Sequence, residues 1–299
     1  DIAPDGSGYA CRWQFTSRLH APGIQPELGV RLLRRCLADA PIHRSLSAAP
    51  TAGAPQVSIL IGHRGMDRLP LLLATLESLA AQRGVPIECL VIEQDVTPRI
   101  RDQLPGWVRH VHDVCPGILP PYNRSRAFNV GSQHAKAPVL LLHDNDMLVP
   151  IGYCRRLMNR IRMGYQVINP KRYIFYLCEK HTQRVLHAQA RYDEQPPEAI
   201  VQNLEAGGSM AITADSYAAI GGMDEDFVGW GGEDNEFWDR CLTLPTWIWG
   251  YEPILHLWHR SQPLKQEDDN PNISRCREVM QRSPEQRIAI LRRRSSLLG

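Results

Sequence analysis

The chain lacks the cysteine spacings that mark zinc sites and dense disulfide frameworks. Its eight cysteines lie singly, with no Cys-x-x-Cys pair, at positions 11, 36, 89, 115, 154, 178, 241 and 276. Neither a cysteine-based zinc site nor a disulfide-stapled scaffold is therefore expected. Cys89 lies inside an apolar run, where a buried free thiol is the usual state. This usage favours a reducing, cytoplasmic compartment.

Long hydrophobic runs and a strong net charge are also missing. No apolar run is long enough to span a membrane, and no signal-peptide pattern is visible. The formal net charge is only +2, so charge provides no argument for a nucleic-acid partner. A chain of 299 residues, 43% hydrophobic and 22% charged, suits a soluble globular protein of one large domain or two small ones.

Short apolar runs alternate with helix-like segments from residue 57 onward. Runs of this kind are typical of buried parallel strands. Strands are predicted at 57–61, 87–92, 108–111 and 139–143, and helices at 69–81 and 125–135. The alternation predicts an α/β fold with a Rossmann-like, mostly parallel sheet and flanking helices. Ligands of such sheets bind beyond the carboxyl ends of the strands, where Glu93, Asp95, Asp144 and Asp146 lie.

The remaining segments are less regular. A short basic helix is expected at 28–37 and a linker at 45–55. Beyond residue 150 the patterns predict helices at 151–163 and around Tyr217, and strands near Val167, at 206–212 and at 247–257. The segment 183–202 is rich in Gln, Glu and Pro, and we expect it to form a long loop or a lid over a bound ligand.

A glycine-rich turn followed by acidic residues lies late in the chain. Residues 227–238 read Phe-Val-Gly-Trp-Gly-Gly-Glu-Asp-Asn-Glu-Phe-Trp. Glycine lets a backbone approach a ligand where a Cβ atom would collide, and a helix N-terminus stabilises carboxylates. Capping of a surface helix accounts for acids in a first turn, but not for the Gly-Trp-Gly-Gly run before them. We therefore predict that Glu233 and Asp234 belong to a functional site.

Two further patterns carry metal-ligand chemistry. Asp144-Asn145-Asp146 follows a predicted strand, and two carboxylates one residue apart can reach one hard cation. The same three residues also make good turns. His256 and His259 follow a later strand and can share a metal, although isolated histidines are commoner. A mixed carboxylate and imidazole shell suits Mn²⁺, with Mg²⁺ as the alternative.

In order along the chain, these motifs resemble those of GT-A fold glycosyltransferases. The resemblance is greatest to the β-1,4-galactosyltransferase group (glycosyltransferase family 7) and its family 2 relatives, over residues 57 to about 273. The Gly-Trp-Gly-Gly-Glu-Asp run is the most specific signature. Asp144-Asn145-Asp146 stands at the family's Asp-Val-Asp, and His259 followed by Asn270-Pro271-Asn272 resembles its metal-binding His and downstream Asn-Pro-Asn.

Four other stretches carry the same resemblance. Residues 61–64 stand where the family has Pro-Phe-Arg, with only Arg64 kept, and residues 91–94, which include Glu93, match its second strand. Residues 122–131 resemble Phe-Asn-Arg-Ala-x-x-x-Asn-Val-Gly, and residues 207–211 resemble Gly-Gly-Val-Ser-Ala. The resemblance implies that these stretches bind substrate, together with the glycine-rich turn, through Arg64, Glu93, Asn123, Arg124, Arg126, Asn129, Gly207, Gly208, Gly231 and Gly232.

The resemblance implies a metal-dependent, inverting glycosyltransferase. It would move a sugar, galactose or N-acetylgalactosamine, from a UDP-sugar to a hydroxyl of a glycan or other acceptor. Asp146 and His259 would bind Mn²⁺, with His256 as a further candidate ligand, and Asp144 would contact the nucleotide sugar or ribose. Asp234 would be the general base. In the same scheme Glu233 would bind donor or acceptor hydroxyls, and Trp230 would stack on the acceptor sugar.

The implied organisation is a GT-A domain at residues 55–275, with a nucleotide-binding half (55–150) and a smaller acceptor-binding half (151–275). An N-terminal arm and linker (1–54) and a basic C-terminal helix (276–299) flank it. The arginines of the tail alternate with Ile288, Ile290 and Leu291. This pattern is typical of a solvated helix with an apolar inner face, and peripheral membrane contact is the alternative.

Two departures from the family pattern leave alternatives open. The acidic run is Glu-Asp-Asn-Glu instead of Glu-Asp-Asp-Asp, which concerns the acceptor side, and Gly62-His63 replaces Pro-Phe, which leaves base specificity open. A family 2-like enzyme with a glucose, rhamnose or mannose donor is one alternative, and a non-catalytic sugar-nucleotide-binding module is another. The family's animal members are membrane-anchored and disulfide-bonded; since neither feature is visible here, a bacterial cytoplasmic enzyme is expected.

Overall fold

The computed structural model describes residues 15–47, 53–114, 121–260 and 270–298, with side chains of the last helix described as far as Arg294. The helices are α1 Ala21–Ile24, α2 Pro26–Asp39, α3 Leu69–Ala80, α4 Arg124–His134, α5 Tyr153–Arg162, α6 Glu179–Leu186, α7 Ala214–Ala219, α8 Glu233–Cys241, α9 Pro271–Val279 and α10 Pro284–Leu298. The strands are β1 Ser17–Arg18, β2 Val57–His63, β3 Ile87–Glu93, β4 Val108–His112, β5 Val139–His143, β6 Met147–Leu148, β7 Val167–Ile168, β8 Lys171–Tyr176, β9 Ala199–Gln202, β10 Met210–Thr213, β11 Thr246–Trp247 and β12 Glu252–His256.

The larger sheet has seven strands in the order β11-β7-β10-β5-β2-β3-β4. Strands β2 to β5 pair in parallel, β10 runs antiparallel to both β5 and β7, and β11 pairs in parallel with β7. Successive residues of β2 point to opposite faces of the sheet. Ile59 packs in a core cluster with α3 and α5, and Leu60 packs in a second cluster with α4 and α8. The predicted α/β fold, with a mostly parallel sheet and helices on both faces, is confirmed.

A second sheet of five strands, in the order β1-β9-β8-β12-β6, was not predicted. Strand β5 ends at His143 in the larger sheet, and β6 begins at Met147 in the smaller one. The Asp144-Asn145-Asp146 turn therefore crosses from one sheet to the other. Leu33, Phe175 and Ile200 belong to the core cluster on the smaller sheet.

Several sequence-based expectations are corrected by this second sheet. Residues 183–202 do not form one long loop, because the segment begins within α6, ends in β9, and buries Val185 and Ile200 in the core of the smaller sheet. The expected strand at 247–257 is two strands, β11 and β12, in different sheets. These errors share a cause, since composition and short apolar runs do not report which sheet a strand joins.

The flanking segments are also more integrated than expected. In the described part of the N-terminal arm, β1 pairs with β9 and Leu33 of α2 is fully buried, so this segment is part of the fold; residues 1–14 and 48–52 lie outside the described residues. The C-terminal segment is two helices rather than one, and residue 276 lies inside α9. The six described cysteines are free, while Cys11 and Cys115 lie outside the described residues. Within the described part of the chain, no helix has both the length and the apolarity to cross a membrane.

Two buried histidines, at the ends of β2 and β5, form hydrogen bonds at or near the inter-sheet turn. His143 Nε2 donates to the carbonyl of Met147 at 3.1 Å, and its Nδ1 lies 2.7 Å from Ser209 Oγ. His63 Nε2 donates to the carbonyl of Gly65 at 2.8 Å, and its Nδ1 accepts from Asn145 Nδ2 at 2.9 Å. Burial lowers the pKa of both imidazoles to about 4.

We expect the free energy of unfolding to fall as the pH drops from about 6.5 to 4. In the unfolded chain each imidazole takes up a proton near its ordinary pKa, whereas the folded protein protonates His63 and His143 only near pH 4. Protonation therefore favours unfolding throughout this interval, with a slope of up to about 1.4 kcal/mol per pH unit for each histidine. Urea unfolding at several pH values, in the presence of a chelator, measures the slope. H63Q and H143Q should each reduce it, and a wild-type slope in both variants would contradict the assignment.

Candidate active site

The inter-sheet turn places Asp146 beside two imidazoles. Strand β12 pairs antiparallel with β6 so that His256 lies opposite Met147, and the backbone N–H of Leu257 donates to the carbonyl of Asp146 at 2.8 Å. His256 Nε2 lies 3.7 Å from Asp146 Oδ1, and His259 Nε2 lies 3.2 Å from Asp146 Oδ2. The ring of Tyr176 packs on His256 with centroids 4.5 Å apart. The pairing of two short strands thus brings together the three residues predicted as metal ligands.

The chemistry of this cluster fits a divalent cation. One ligand atom from each of Asp146, His256 and His259 lies within 4.8 Å of the others. Asp146 is only 3% exposed, and its Oδ1 has no hydrogen-bond partner among the described residues. A buried carboxylate oxygen without a partner is costly, and a cation would satisfy it. One carboxylate and two imidazoles suit Mn²⁺ and its first-row neighbours.

The charge balance at Asp146 favours its ionised form. Burial pushes its pKa upward, but the electrostatic effects of His256, Arg68 and His259, the histidines acting when protonated, outweigh burial and hold the pKa below its usual value. Burial also lowers the pKa of His259, against the opposing effect of Asp146. A carboxylate and neutral imidazoles are the forms that bind metals.

Arg68 is a member of this cluster that the sequence did not reveal. It immediately precedes α3, and its guanidinium Nη1 donates to Asp146 Oδ2 at 3.3 Å and to Asn145 Oδ1 at 3.4 Å. Its Nη2 lies 2.6 Å from His259 Nδ1. Because the chain contains many arginines and Arg68 lies 191 residues before His259, no local pattern distinguishes it.

The second acidic turn is built by the glycine-rich loop. Gly229, Gly231 and Gly232 have φ of 86°, 104° and 85°, a region that favours glycine, and α8 begins directly afterwards at Glu233. A Cβ atom on Gly232 would also lie 2.9 Å from the carbonyl of Asn272. The glycines therefore serve both the turn and its close packing.

The Asn-Pro-Asn motif braces this loop. Asn270 Nδ2 donates to the carbonyl of Trp230 at 3.0 Å, and Asn272 Nδ2 donates to the carbonyl of Val228 at 3.0 Å. From the other side, the N–H of Gly229 donates to the carbonyl of Tyr122 at 2.9 Å. Trp230 itself is 37% exposed, so its ring can meet a ligand while its backbone is held.

Arg124 joins the two acidic turns. It is the first residue of α4, whose N-cap Asn123 accepts from the N–H of Arg126 at 2.8 Å. Arg124 Nε and Nη2 lie 2.9 and 2.8 Å from Asp144 Oδ1, and Nη1 donates to Asp234 Oδ1. Nη1 also lies 4.0 Å from Glu233 Oε1. One guanidinium therefore holds the carboxylates of Asp144 and Asp234 in one place, although these residues lie 90 positions apart in the chain.

Glu233 and Lys171 have ionisation that is shifted toward neutral pH. Burial and the neighbouring Asp234 carboxylate raise the pKa of Glu233 to about 7, and its Oε2 has no hydrogen-bond partner in the described part of the chain. Burial lowers the pKa of Lys171 to about 7, and its Nζ donates to the carbonyl of Ser209 at 2.9 Å. Lys171 was not predicted from the sequence.

A small cavity lies beside Arg124 and the start of α8. Its lining includes Arg124, Asp234, Gly207, Gly208, Met210 and Phe237. A Cβ atom on Gly207 would lie 2.9 Å from Asp234 Oδ2. The Asp234 side chain is 31% exposed, with Oδ1 bonded to Arg124 and Oδ2 beside Gly207.

Other predicted substrate contacts make internal bonds. Glu93 is fully buried and accepts from the N–H of Arg99 at 2.8 Å. Asn123 Nδ2 donates to the carbonyl of Glu225 at 2.7 Å, and Asn129 Nδ2 donates to the carbonyl of Met223 at 2.9 Å. These three side chains hold loops in this structure, and their contact with substrate stays a prediction.

Arg64 and Arg126 lie along the ends of β2 to β4. Arg64 Nε donates to the carbonyl of Gln94 at 2.6 Å, and its guanidinium lies 5.6 Å from the centre of the Tyr122 ring. Arg126 pairs with Asp113 at 2.7 Å and is half exposed. Both lie at the edge where a parallel sheet binds ligands.

Two family models match the chain. The model described as "Glycosyl transferase family 2" matches residues 66–220, and the one described as "N-terminal domain of galactosyltransferase" matches residues 201–246. The first match includes Arg124, Asp144 and Asp146, and the second includes Glu233 and Asp234. The two matches together therefore cover both acidic turns.

Curated relatives are similar over part of their length. Validoxylamine A glucosyltransferase of Streptomyces hygroscopicus subsp. limoneus is 26% identical over 255 residues, covering 71% of this chain and 55% of that protein. Chondroitin sulfate N-acetylgalactosaminyltransferase 1 of Homo sapiens is 26% identical over 157 residues, covering 47% of this chain and 28% of that protein. The chain thus spans about half the length of the first relative and less of the second.

Among solved structures, the catalytic domain of Drosophila β1,4-galactosyltransferase 7 in complex with xylobiose matches with a TM-score of 0.44 and 17% identity. The match covers 74% of this chain and 80% of that chain. A mutant of the same Drosophila protein, in complex with manganese, UDP-Gal and xylobiose, matches with the same TM-score. Both are distant likenesses.

The family 2 match extends over more than half of the chain, and the architecture has the parallel sheet and the strand-end acidic turns that the motifs predicted. The chain therefore belongs to glycosyl transferase family 2 and has the α/β architecture of the GT-A glycosyltransferases.

Proposed function

We propose that the protein is a metal-dependent, inverting glycosyltransferase that moves a sugar from a UDP-sugar to an acceptor hydroxyl. The observation that supports the proposal is that one site contains both a cluster of candidate metal ligands and a carboxylate held next to it by an arginine. A cluster with metal-ligand chemistry, Asp146, His256 and His259, lies on one turn and strand end. Arg124 ties the adjoining Asp144 to the acidic turn of Asp234.

The cluster would hold Mn²⁺, or Mg²⁺, through Asp146, His259 and His256. A cation there supplies the positive charge that neutralises a departing diphosphate. Asp144 would contact the ribose or the donor sugar from the same turn. Trp230, exposed beside the glycine-rich loop, would stack on the acceptor sugar, since aromatic rings offer a flat apolar face.

Asp234 is the proposed general base. Arg124 holds its Oδ1, which fixes the orientation of the carboxylate and leaves Oδ2 to accept the proton of the acceptor hydroxyl. A single base opposite the leaving group is what an inverting transfer requires. Proton removal of this kind contributes on the order of 10²–10⁴-fold in rate. Glu233, with its pKa raised to about 7, would bind a sugar hydroxyl through Oε2.

Galactose or N-acetylgalactosamine is the proposed donor sugar, since the most specific motif, the glycine-rich acidic turn, lies in the segment that matches the galactosyltransferase model. Glucose is the second candidate, because the validoxylamine A glucosyltransferase described above aligns over a larger share of the chain than the N-acetylgalactosaminyltransferase does. A non-catalytic module would be expected to lack a base or a metal ligand, and the presence of both argues against it. Release of UDP or GDP from a panel of nucleotide-sugars separates these candidates.

Removing a proposed ligand should weaken metal binding. We expect H259A and D146N each to lower the affinity for Mn²⁺ by at least roughly tenfold, because even partners of metal ligands are worth about 10–100-fold. Isothermal titration of the purified protein with Mn²⁺ measures this. H134A, at an exposed histidine of α4, is the matched control. Equal affinities in all four proteins would place the metal elsewhere.

Removing the proposed base should stop transfer without loss of binding. We expect D234N to lower kcat by about 10²–10⁴-fold while affinities for UDP and Mn²⁺ stay close to those of the wild type. D215N, an isosteric change at an exposed acid of α7, is the control. Normal turnover by D234N would show that Asp234 is not the base.

A further inference from the structure

Arg68 uses the same atoms that a metal would use. Its Nη1 donates to Asp146 Oδ2 at 3.3 Å, and its Nη2 lies 2.6 Å from His259 Nδ1. Two of the three candidate metal ligands therefore share one guanidinium. The side chain is 24% exposed and projects from the residue before α3, so it has solvent on one side into which it can move.

The hydrogen bonds of His259 decide whether Arg68 and a metal can be present together. His259 Nδ1 lies 2.6 Å from Arg68 Nη2, which can only donate, and 2.7 Å from the carbonyl of Arg260, which can only accept. A neutral imidazole nitrogen either donates or accepts. The two contacts therefore require opposite forms of the ring, and only one of them can be satisfied at a time.

Each form has a different consequence for Nε2, which faces Asp146 Oδ2 at 3.2 Å. If Nδ1 accepts from Arg68, Nε2 carries the hydrogen and donates to Asp146, so it has no lone pair for a metal. If Nδ1 donates to the Arg260 carbonyl, Nε2 is free to bind a metal. In that second form two N–H groups would face each other across the short contact with Arg68, so Arg68 must leave.

Charge acts in the same direction. The Arg68 guanidinium pairs with Asp146 Oδ2 at 3.3 Å and so serves as a counter-ion for that buried carboxylate. A divalent cation bound by Asp146 and His259 would lie within a few ångströms of this guanidinium. Like charges this close repel each other strongly, because little solvent lies between them.

We propose that Arg68 is an exchangeable counter-ion of the metal site, which competes with the divalent cation for Asp146 and His259. Displaced by the cation, Arg68 pairs with the diphosphate of the donor, because a guanidinium matches phosphate oxygens in two-pronged geometry. Metal and nucleotide then bind cooperatively, since the nucleotide provides the new partner for the displaced arginine. This inference rests on the proposed metal site.

The first test is Mn²⁺ affinity without nucleotide, measured by calorimetric titration. We expect R68Q to bind Mn²⁺ about tenfold more tightly than the wild type, because the competitor is gone. R68K, which keeps the charge but not the planar fork, should lie between the two. R99Q is the matched control, since Arg99 pairs with Asp95 at 3.4 Å on another strand-end turn and its loss changes the net charge equally. Equal or weaker binding by R68Q would overturn the proposal.

The second test repeats the titration with saturating UDP. In the wild type UDP should raise the affinity for Mn²⁺ more than it does in R68Q, because only the wild type gains a new partner for Arg68. If UDP raised the affinity for Mn²⁺ by the same factor in both proteins, Arg68 would not couple metal binding to nucleotide binding, and that part of the proposal would be overturned. If H259A loses Mn²⁺ while R68Q behaves as the wild type, only this inference fails. If no protein of the series binds Mn²⁺, the proposed metal site fails with it. Thermal unfolding of each variant confirms that it is folded.

Discussion

The site depends on one guanidinium. Arg124 contacts Asp144 on the inter-sheet turn and Asp234 at the start of α8, and it lies near Glu233. Three carboxylates gathered around one position would repel each other without a cation between them. Arg124 offers several donors in a rigid plane, so it can serve two turns at once. Arg124 is the first residue of helix α4, which Asn123 caps. The start of this helix therefore fixes where the guanidinium lies.

A second constraint is the passage of the chain between two sheets. Only three residues separate β5 from β6, and these are Asp144, Asn145 and Asp146. The buried ring of His63 accepts a hydrogen bond from the Asn145 side chain, and His143 donates one to the carbonyl of Met147. The middle residue of the acidic motif is therefore structural, while the residues on either side face the site. His63, at the end of β2, therefore contributes a hydrogen bond to this turn.

The helix that carries Asp234 is held from behind by the C-terminal helix. Arg287 of α10 pairs with Glu236 at 2.8 Å and with Asp239, and Leu291 lies against Gly221. Arg287 and Leu291 are buried, which agrees with the interpretation of the tail as a helix with an apolar inner face. These contacts lend no support to a membrane-binding role for the tail. A buried ion pair of this kind is weak evidence for added stability, because the cost of desolvating both charges can exceed their attraction.

The sequence by itself determined the fold class, the order of the main strands and helices, and the two acidic turns. It could do so because strand and helix periodicity, turn-forming glycines and strand-end carboxylates are local patterns. It also marked Asp146, His256 and His259 as ligands that the structure indeed brings together. Only the tertiary structure decided the second sheet, the anchoring of residues 183–202, and the presence of Arg68 and Lys171 in the site. Arg68 lies 191 residues from His259, and Arg124 lies 110 residues from Asp234. Partners so distant along the chain are chosen by packing, which no local pattern of residues records.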